Sequence, residues 1–319
     1  MFQFVYWLKA FAALSITNAH YANIWPSPSL AFGGHMGNCI FFFVSGFCLY
    51  NIKESFPKWY AKKIIRIYPA LWIVAAVNFI FGLYKVDNIL SLIRCIIYPT
   101  WFHFIGSIML LYIVFYVVRF LQKKFNIAIQ WFMLATFLVF IVAYIFSFDK
   151  SYFHIEDVNE QWVRFSFFES MLLGALFREN YDKISSKMHW YNIAGLVLSL
   201  AGYFVGKKAF SNIESISPLQ FLFPVILILM TASFGLIAVK LEKKEFFTHI
   251  NKKINKVVVF LSSLTLEIYL GQVIIISSFD KLAFPLNFIL VTSLIILYAW
   301  ILHICGDFVQ KKTRKLLKL

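Results

Sequence analysis

Long apolar runs, separated by polar or Pro- and Gly-containing breaks, recur along the whole chain and constrain its fold most strongly. A helix rises ~1.5 Å per residue, so a run of about 18 residues or more can cross the ~30 Å hydrocarbon core of a bilayer. The runs lie at 5–24, 36–52, 67–84, 101–120, 127–147, 162–178, 189–206, 218–239, 257–279 and 284–308. The sequence therefore predicts an all-α, polytopic integral membrane helix bundle, with about ten transmembrane helices in a single domain over residues 1–319.

Lys and Arg residues are concentrated in every second loop. With a cytoplasmic N-terminus, 22 of the 30 fall in cytoplasmic loops and the C-terminal tail, and 6 fall in outer loops. An excess of cations in short loops marks the cytoplasmic side. Both termini are therefore predicted to be cytoplasmic. The net charge of +15 then reflects topology and contact with membrane lipids, so no nucleic-acid partner is expected.

Other features exclude further classes of protein. The loops are too short to fold as separate domains, and the sequence has no inverted pair of Gly- or Pro-broken runs of the kind common in secondary transporters. The cysteines occur singly, without metal-ligand spacing, so we expect reduced thiols and no metal. Because the first run lacks a basic leader and a small-residue cleavage site, we expect an uncleaved first span.

Two ionisable residues, Lys9 and His20, lie in the first run. On one helix they would be about 16 Å apart along the axis. Ionisable groups inside a membrane are costly and usually face a protein interior or an aqueous cavity. The simpler alternative is a lysine that extends to the interface and an interfacial histidine. The first run alone leaves both interpretations open.

The next two runs carry further polar residues. His35 and Asn38 are expected near the outer face, and Ser45 at mid-depth. Lys62 and Arg66 are four positions apart, so on a helix they share one face at the cytoplasmic rim. Such a pair can bind the phosphates of a ligand, although topology and headgroup binding explain it equally simply.

Two acidic residues lie deep in later apolar runs, Glu169 in the sixth and Glu267 in the ninth. Neither has an obvious partner in the sequence. A carboxyl group buried without a cation is either neutral or functional, so both are candidate substrate-binding residues.

Taken in order, these motifs resemble membrane acyltransferase family 3, the bacterial O-acyltransferases that modify sugars and cell-surface glycans. The resemblance rests on the Lys9-x10-His20 spacing, on GNCIFFFVSGF at 37–47 and on WYAKKIIRIYPALW at 59–72. A looser match is LSSLTLEIYLGQ at 261–272. The family's ten-helix core and cytoplasmic termini agree with the predicted topology.

The resemblance implies roles for individual residues. His20 matches the essential histidine of the family's Arg-x10-His motif, and Lys9 stands where arginine is usual. Lys62 and Arg66 match an Arg-x3-Arg motif, again with lysine in the first place. Ser45 matches the serine of a Ser-Gly-Phe motif.

At Gln272 many relatives carry a histidine. A glutamine can hydrogen-bond a substrate but cannot transfer a proton near neutral pH.

We therefore expect a multi-pass O-acyltransferase of the bacterial cytoplasmic (inner) membrane. It would transfer an acetyl group from acetyl-CoA to a sugar hydroxyl of a cell-surface polysaccharide or its lipid-linked precursor. The expected catalytic residues are His20 and Lys9; the expected donor-binding residues are Lys62, Arg66 and Ser45. The expected substrate-binding residues are His35, Asn38, Glu169, Glu267 and Gln272. The alternative is a transporter or flippase that uses the intramembrane charges; a third possibility is a membrane scaffold protein.

Overall fold

A computed structural model describes residues 2–83, 85–97, 103–158, 160–278 and 282–317. Within these ranges the regular secondary structure is helical throughout. The α-helices are α1 (Gln3–Ala19), α2 (Gly34–Leu49), α3 (Phe56–Ile80), α4 (Ile89–Ile96), α5 (His103–Phe125), α6 (Ile129–Ser147), α7 (Val163–Glu179), α8 (Trp190–Asn212), α9 (Leu222–Lys243), α10 (Phe246–His249), α11 (Lys252–Ser263), α12 (Thr265–Ser278) and α13 (Leu286–Leu317). Short 3-10 helices lie at Pro28–Leu30, Tyr181–Lys183 and Glu214–Leu219.

The prediction of a polytopic helical membrane protein is confirmed. In the described part of the chain, 7 helices are long and apolar enough to cross a membrane, or up to 8 if the pair α11 and α12 is one span bent by 73°. The helices α1 and α7, with 17 residues each, are shorter than these. The count of ten spans and the cytoplasmic termini stay predictions.

Two helices differ from the predicted runs. α3 begins at Phe56, before the apolar run that starts at 67, because Pro57 favours a helix start in a stretch too polar to be counted as apolar. The ninth run is divided at Leu264 into α11 and α12. There the Ser263 hydroxyl donates to the Phe260 carbonyl at 2.7 Å, a side-chain to backbone bond of the kind that bends helices. The predicted boundaries at 84, 101 and 279 lie outside the described residues.

The chain forms two compact units. The first unit contains Met1–Lys9, Asn38–Ile52 and Val114–Asn255, and the second contains Ala10–Gly37, Lys53–Ile113 and Lys256–Leu319. The division falls inside α1, between Lys9 and Ala10.

In the first unit α7 is surrounded by protein, although its sequence is among the most polar of the predicted spans. It packs against α6 and α9, and every residue from Ser166 to Ala175 is buried. It also approaches α2 closely at two glycines. A Cβ on Gly46 would overlap the carbonyl oxygen of Met171, and one on Gly174 would overlap that of Phe43. Protein neighbours instead of lipid explain how this helix tolerates Glu169.

In the second unit α13 packs against both α12 and α3. Its contacts with α3 are antiparallel: the Gln310 amide donates to the Arg66 carbonyl at 3.3 Å, and a Cβ on Gly306 would lie 3.8 Å from the Ala70 Cβ. Near its other end, Thr292 lies 3.0 Å from the Tyr21 hydroxyl. The helix α13 therefore extends from its contact with Tyr21 to its contact with Arg66.

The close contact of α2 with α7 generates a prediction for Gly46→Ala. The new methyl group overlaps the Met171 carbonyl, so the helices must separate, and we expect a loss of about 1–3 kcal/mol in unfolding free energy. Thermal unfolding of the detergent-purified protein measures this loss of stability. Gly195→Ala is the matched control, because its Cβ would lie 3.7 Å from the Ser233 Oγ, an ordinary contact. Equal unfolding midpoints for the two variants would contradict the predicted close contact.

Candidate functional site

His20 directly follows the last residue of α1, at the base of the loop that leads to α2, and it is exposed. One side chain, Asn18, holds this loop closed. Its amide nitrogen donates to the carbonyls of Leu30 at 2.8 Å and Phe32 at 3.0 Å, and its oxygen accepts from the Trp25 indole at 2.9 Å. The position of His20 is therefore fixed by a hydrogen-bonded loop and by the end of a helix.

The start of α2 packs against the last turns of α1. A Cβ on Gly34 would lie 3.0 Å from the Ala19 Cβ, and one on Gly37 would lie 2.8 Å from the Ile16 Cγ1. This approach brings the neighbours of His20 and His35 into contact. His35 itself is half-buried in the first turn of α2.

A partly open cavity of about 410 Å³ lies beside the C-terminal half of α1, within the second unit. Its apolar walls come from Phe11, Leu14, Phe32, Met36 and Phe288. Its polar groups come from Ser15, Thr17, Asn18, Tyr21 and Thr292. Within the described part of the chain, the lining side chains carry no charge. The Thr17 hydroxyl is buried and has no hydrogen-bond partner in the described ranges.

The cations at the other end of this unit differ in their surroundings. Lys62 forms an ion pair with Glu54, and this hydrogen bond holds the pKa of the Glu54 carboxyl below its usual range. Arg66 is exposed. Since α3 is continuous through both cations, they lie on one face of the helix.

The contacts of α13 give the distance between the region of Tyr21 and the region of Arg66. From Thr292, at the level of Tyr21, to Gln310, at the level of Arg66, it covers 18 positions, or about 27 Å. This is close to the ~30 Å thickness of a bilayer core. Within the second unit, His20 and Arg66 are thus separated by nearly the depth of the membrane.

Between these two levels, α12 and α13 bury a carboxylate against a histidine. His303 Nδ1 lies 3.0 Å from Glu267 Oε1, and His303 Nε2 lies 3.6 Å from Asp307 Oδ2. Glu267 is 3% exposed, and its second oxygen has no hydrogen-bond partner in the part of the chain that is described. The carboxylate therefore fixes the orientation of the imidazole, as carboxylates do in many functional histidine pairs.

Five positions beyond Glu267, Gln272 is completely buried. Among the described residues, neither its amide oxygen nor its nitrogen has a hydrogen-bond partner, and the same holds for the Tyr298 hydroxyl. The Tyr298 ring packs directly on Gly271. Unsatisfied polar groups at this interface are available to a bound molecule.

The other predicted residues belong to the first unit. Glu169 is buried and accepts a hydrogen bond from the Thr136 hydroxyl. Asn38 is buried on α2, and Ser45, seven positions later, is half-buried on a similar face. Lys9 is half-buried within α1. Glu169 on α7 therefore has a hydrogen-bond partner on the neighbouring helix α6.

Sequence reasoning missed His303 and Glu54. His303 is 36 positions from Glu267, and no motif connects the two segments; only Asp307, one turn further along α13, offered a local signal. Glu54 precedes α3 in a loop, where an acidic residue is unremarkable. Tertiary packing was needed to identify both pairs.

The sequence matches the model of a known protein family over most of its length. The acyltransferase domain of acyltransferase family 3 matches residues 2–305, nearly the whole chain. The chain belongs to this family. It is a membrane acyltransferase, and the transporter and scaffold alternatives lose their support. Comparison with curated proteins and with solved structures found no match.

The contact between Glu267 and His303 generates a prediction. In His303→Ala the buried carboxylate loses its partner, and we expect a loss of about 1–3 kcal/mol in unfolding free energy. Because Glu267→Gln removes the need for that partner, the double variant should be more stable than the sum of the single effects implies. Thermal unfolding of all four proteins measures this coupling. Strict additivity would show that the two side chains do not interact.

Proposed function

We propose that this enzyme transfers an acetyl group from acetyl-CoA to a sugar hydroxyl of a cell-surface polysaccharide or its lipid-linked precursor, in the bacterial cytoplasmic membrane. The observation that carries the proposal is the arrangement along α13. An exposed arginine lies at one end of the second unit, and a histidine beside a cavity lies at the other. Such an arrangement suits a donor and an acceptor that meet from opposite sides of a membrane.

The donor end would bind the phosphates of CoA. Arg66 is exposed, and its guanidinium group can bind phosphate through two hydrogen bonds. Lys62 is already paired with Glu54, so it contributes less until that pair opens. We therefore assign the larger share of donor binding to Arg66.

The acceptor end would activate the sugar hydroxyl. An unprotonated imidazole can accept a proton near neutral pH. His20 would take the hydroxyl proton while the oxygen attacks the thioester carbonyl. The C–S bond then breaks, and the CoA thiolate takes the proton from the imidazolium. The products are an acetyl ester and CoA, and no other reactant is needed.

The pantetheine arm of CoA would connect the two ends. Gln272 and Glu267 lie in the intervening part of the second unit and would contact the arm through their polar atoms. His35 would contact the acceptor, since its neighbours pack against the end of α1. Lys9, Ser45, Asn38 and Glu169 stay candidate contacts in the first unit.

The proposed base generates a prediction for His20→Ala. We expect acetyl transfer to fall at least ~100-fold, the contribution typical of a general base. Because His20 is exposed, abundance in the membrane and the unfolding midpoint should be unchanged. Transfer of radiolabelled acetyl groups to a membrane glycolipid extract measures activity. His249→Ala, which alters another exposed histidine, is the control. Substantial activity in correctly inserted His20→Ala protein would exclude His20 as the base.

The two cations of α3 generate a contrasting prediction. Arg66→Ala should raise the KM for acetyl-CoA by roughly 10- to 100-fold, because a charge-assisted phosphate bond is lost. Glu54→Gln should lower this KM, since it releases Lys62 from its ion pair. Lys312→Ala, which removes an exposed cation near the end of α13, is the control. If all three variants keep the same donor KM, the α3 cations serve topology or headgroup binding alone.

A further inference from the structure

The cavity beside α1 indicates what kind of acceptor sugar the enzyme binds. On the basis of the function proposed above, we infer that this cavity is the acceptor site and that it selects an uncharged sugar over one that carries a carboxylate or phosphate. The cavity is close to His20 in the chain, because Asn18 and Tyr21 both line it. The cavity therefore lies at the end of α1 where His20 is found, although His20 is not one of the lining residues.

The lining of the cavity excludes charge. Among the lining residues that the structure describes, the polar side-chain groups are hydroxyls and one amide, and none is a cation. A carboxylate or phosphate would lose its hydration there without gaining a countercharge, which is strongly unfavourable. A neutral ring avoids this cost.

An unsatisfied hydroxyl favours a ligand that itself carries hydroxyls. Thr17 is 6% exposed, and its Oγ1 has no hydrogen-bond partner within the described ranges. A sugar hydroxyl can both donate and accept, so it can satisfy this group. A hydrocarbon chain cannot, which argues against an acyl chain as the occupant. The Tyr21 and Thr292 hydroxyls, 3.0 Å apart, offer further acceptor capacity on the same wall.

The remaining walls suit a ring that is attached to a lipid. The aromatic rings of Phe11, Phe32 and Phe288 can pack against the C–H face of a sugar. Phe11, Leu14 and Phe32 are also exposed at the rim, at 37%, 46% and 41%. A lipid-linked acceptor can therefore place its ring in the cavity while its tail stays in contact with apolar surface. The volume of about 410 Å³ lies within the range of small-molecule sites.

Matched alkyl glycosides test this selection. The full-length enzyme in lipid nanodiscs receives radiolabelled acetyl-CoA and either octyl glucoside, octyl galactoside or octyl mannoside, or the corresponding octyl uronide. The members of each pair differ by a carboxylate. We expect kcat/KM to be at least about tenfold higher for at least one neutral glycoside than for its uronide, given the cost of an unpaired buried charge. A uronide that is acetylated as well as its neutral partner overturns the inference.

A variant of Thr17 tests the location. Thr17→Val keeps the shape and removes the hydroxyl, and the KM for the neutral acceptor should rise about three- to tenfold while the KM for acetyl-CoA is unchanged. Thr231→Val is the control, because that buried hydroxyl already donates to the Leu227 carbonyl of its own helix at 2.8 Å. An unchanged acceptor KM in Thr17→Val overturns the assignment of the cavity.

A membrane glycolipid extract separates this inference from the proposed function. If the extract is labelled but no alkyl glycoside is, the neutral glycosides must inhibit labelling more strongly than the uronides. Equal inhibition overturns the selection for neutral sugars and leaves the acetyltransferase standing. If neither the extract nor any glycoside is labelled, the proposed function fails, and the inference fails with it.

Discussion

The hydrocarbon core of a membrane offers no hydrogen-bond partners, and this constraint governs where the polar residues of the protein lie. Glu169 is satisfied by Thr136, and Glu267 is satisfied on one oxygen by His303. The helix that carries Glu169 is enclosed by protein and approached closely at Gly174, so its polar sequence does not face lipid. Polar residues that look isolated in the sequence are therefore mostly paired by packing.

The exceptions indicate where a ligand belongs. In the described part of the second unit, buried polar atoms of Thr17, Gln272 and Tyr298 have no hydrogen-bond partners, and the same holds for one oxygen each of Asn78 and Glu267. Such groups cost stability unless something binds them. Thr17 lines the cavity near His20, whereas Gln272 and Tyr298 lie where α12 and α13 pack together. In the proposed function these groups would contact the donor arm and the acceptor, whereas the buried Glu169 already has a partner, Thr136 on the neighbouring helix α6.

The two ends of the second unit differ in chemistry, and in the proposed function they meet different ligands. At the Arg66 end, exposed cations suit an anionic nucleotide carrier, and the ion pair of Lys62 with Glu54 leaves Arg66 as the more available charge. At the His20 end, the cavity is neutral and partly aromatic. The separation of about 27 Å along α13 keeps the two environments apart. One unit can thus bind a charged donor and an uncharged acceptor.

Much of this protein could be predicted from its sequence. Apolar run length indicated a polytopic helical membrane protein, and motif order in the first 72 residues indicated the acyltransferase family, because both signals are local in the chain. The partner of Glu267, the partner of Lys62 and the neutral cavity beside His20 required the tertiary structure. These features depend on contacts between segments far apart in sequence, and an apolar helix gives no sequence signal for which of its faces meets which neighbour. The division of the ninth run at Leu264 also emerged only in the structure, where the Ser263 hydroxyl bonds the Phe260 carbonyl beside the bend.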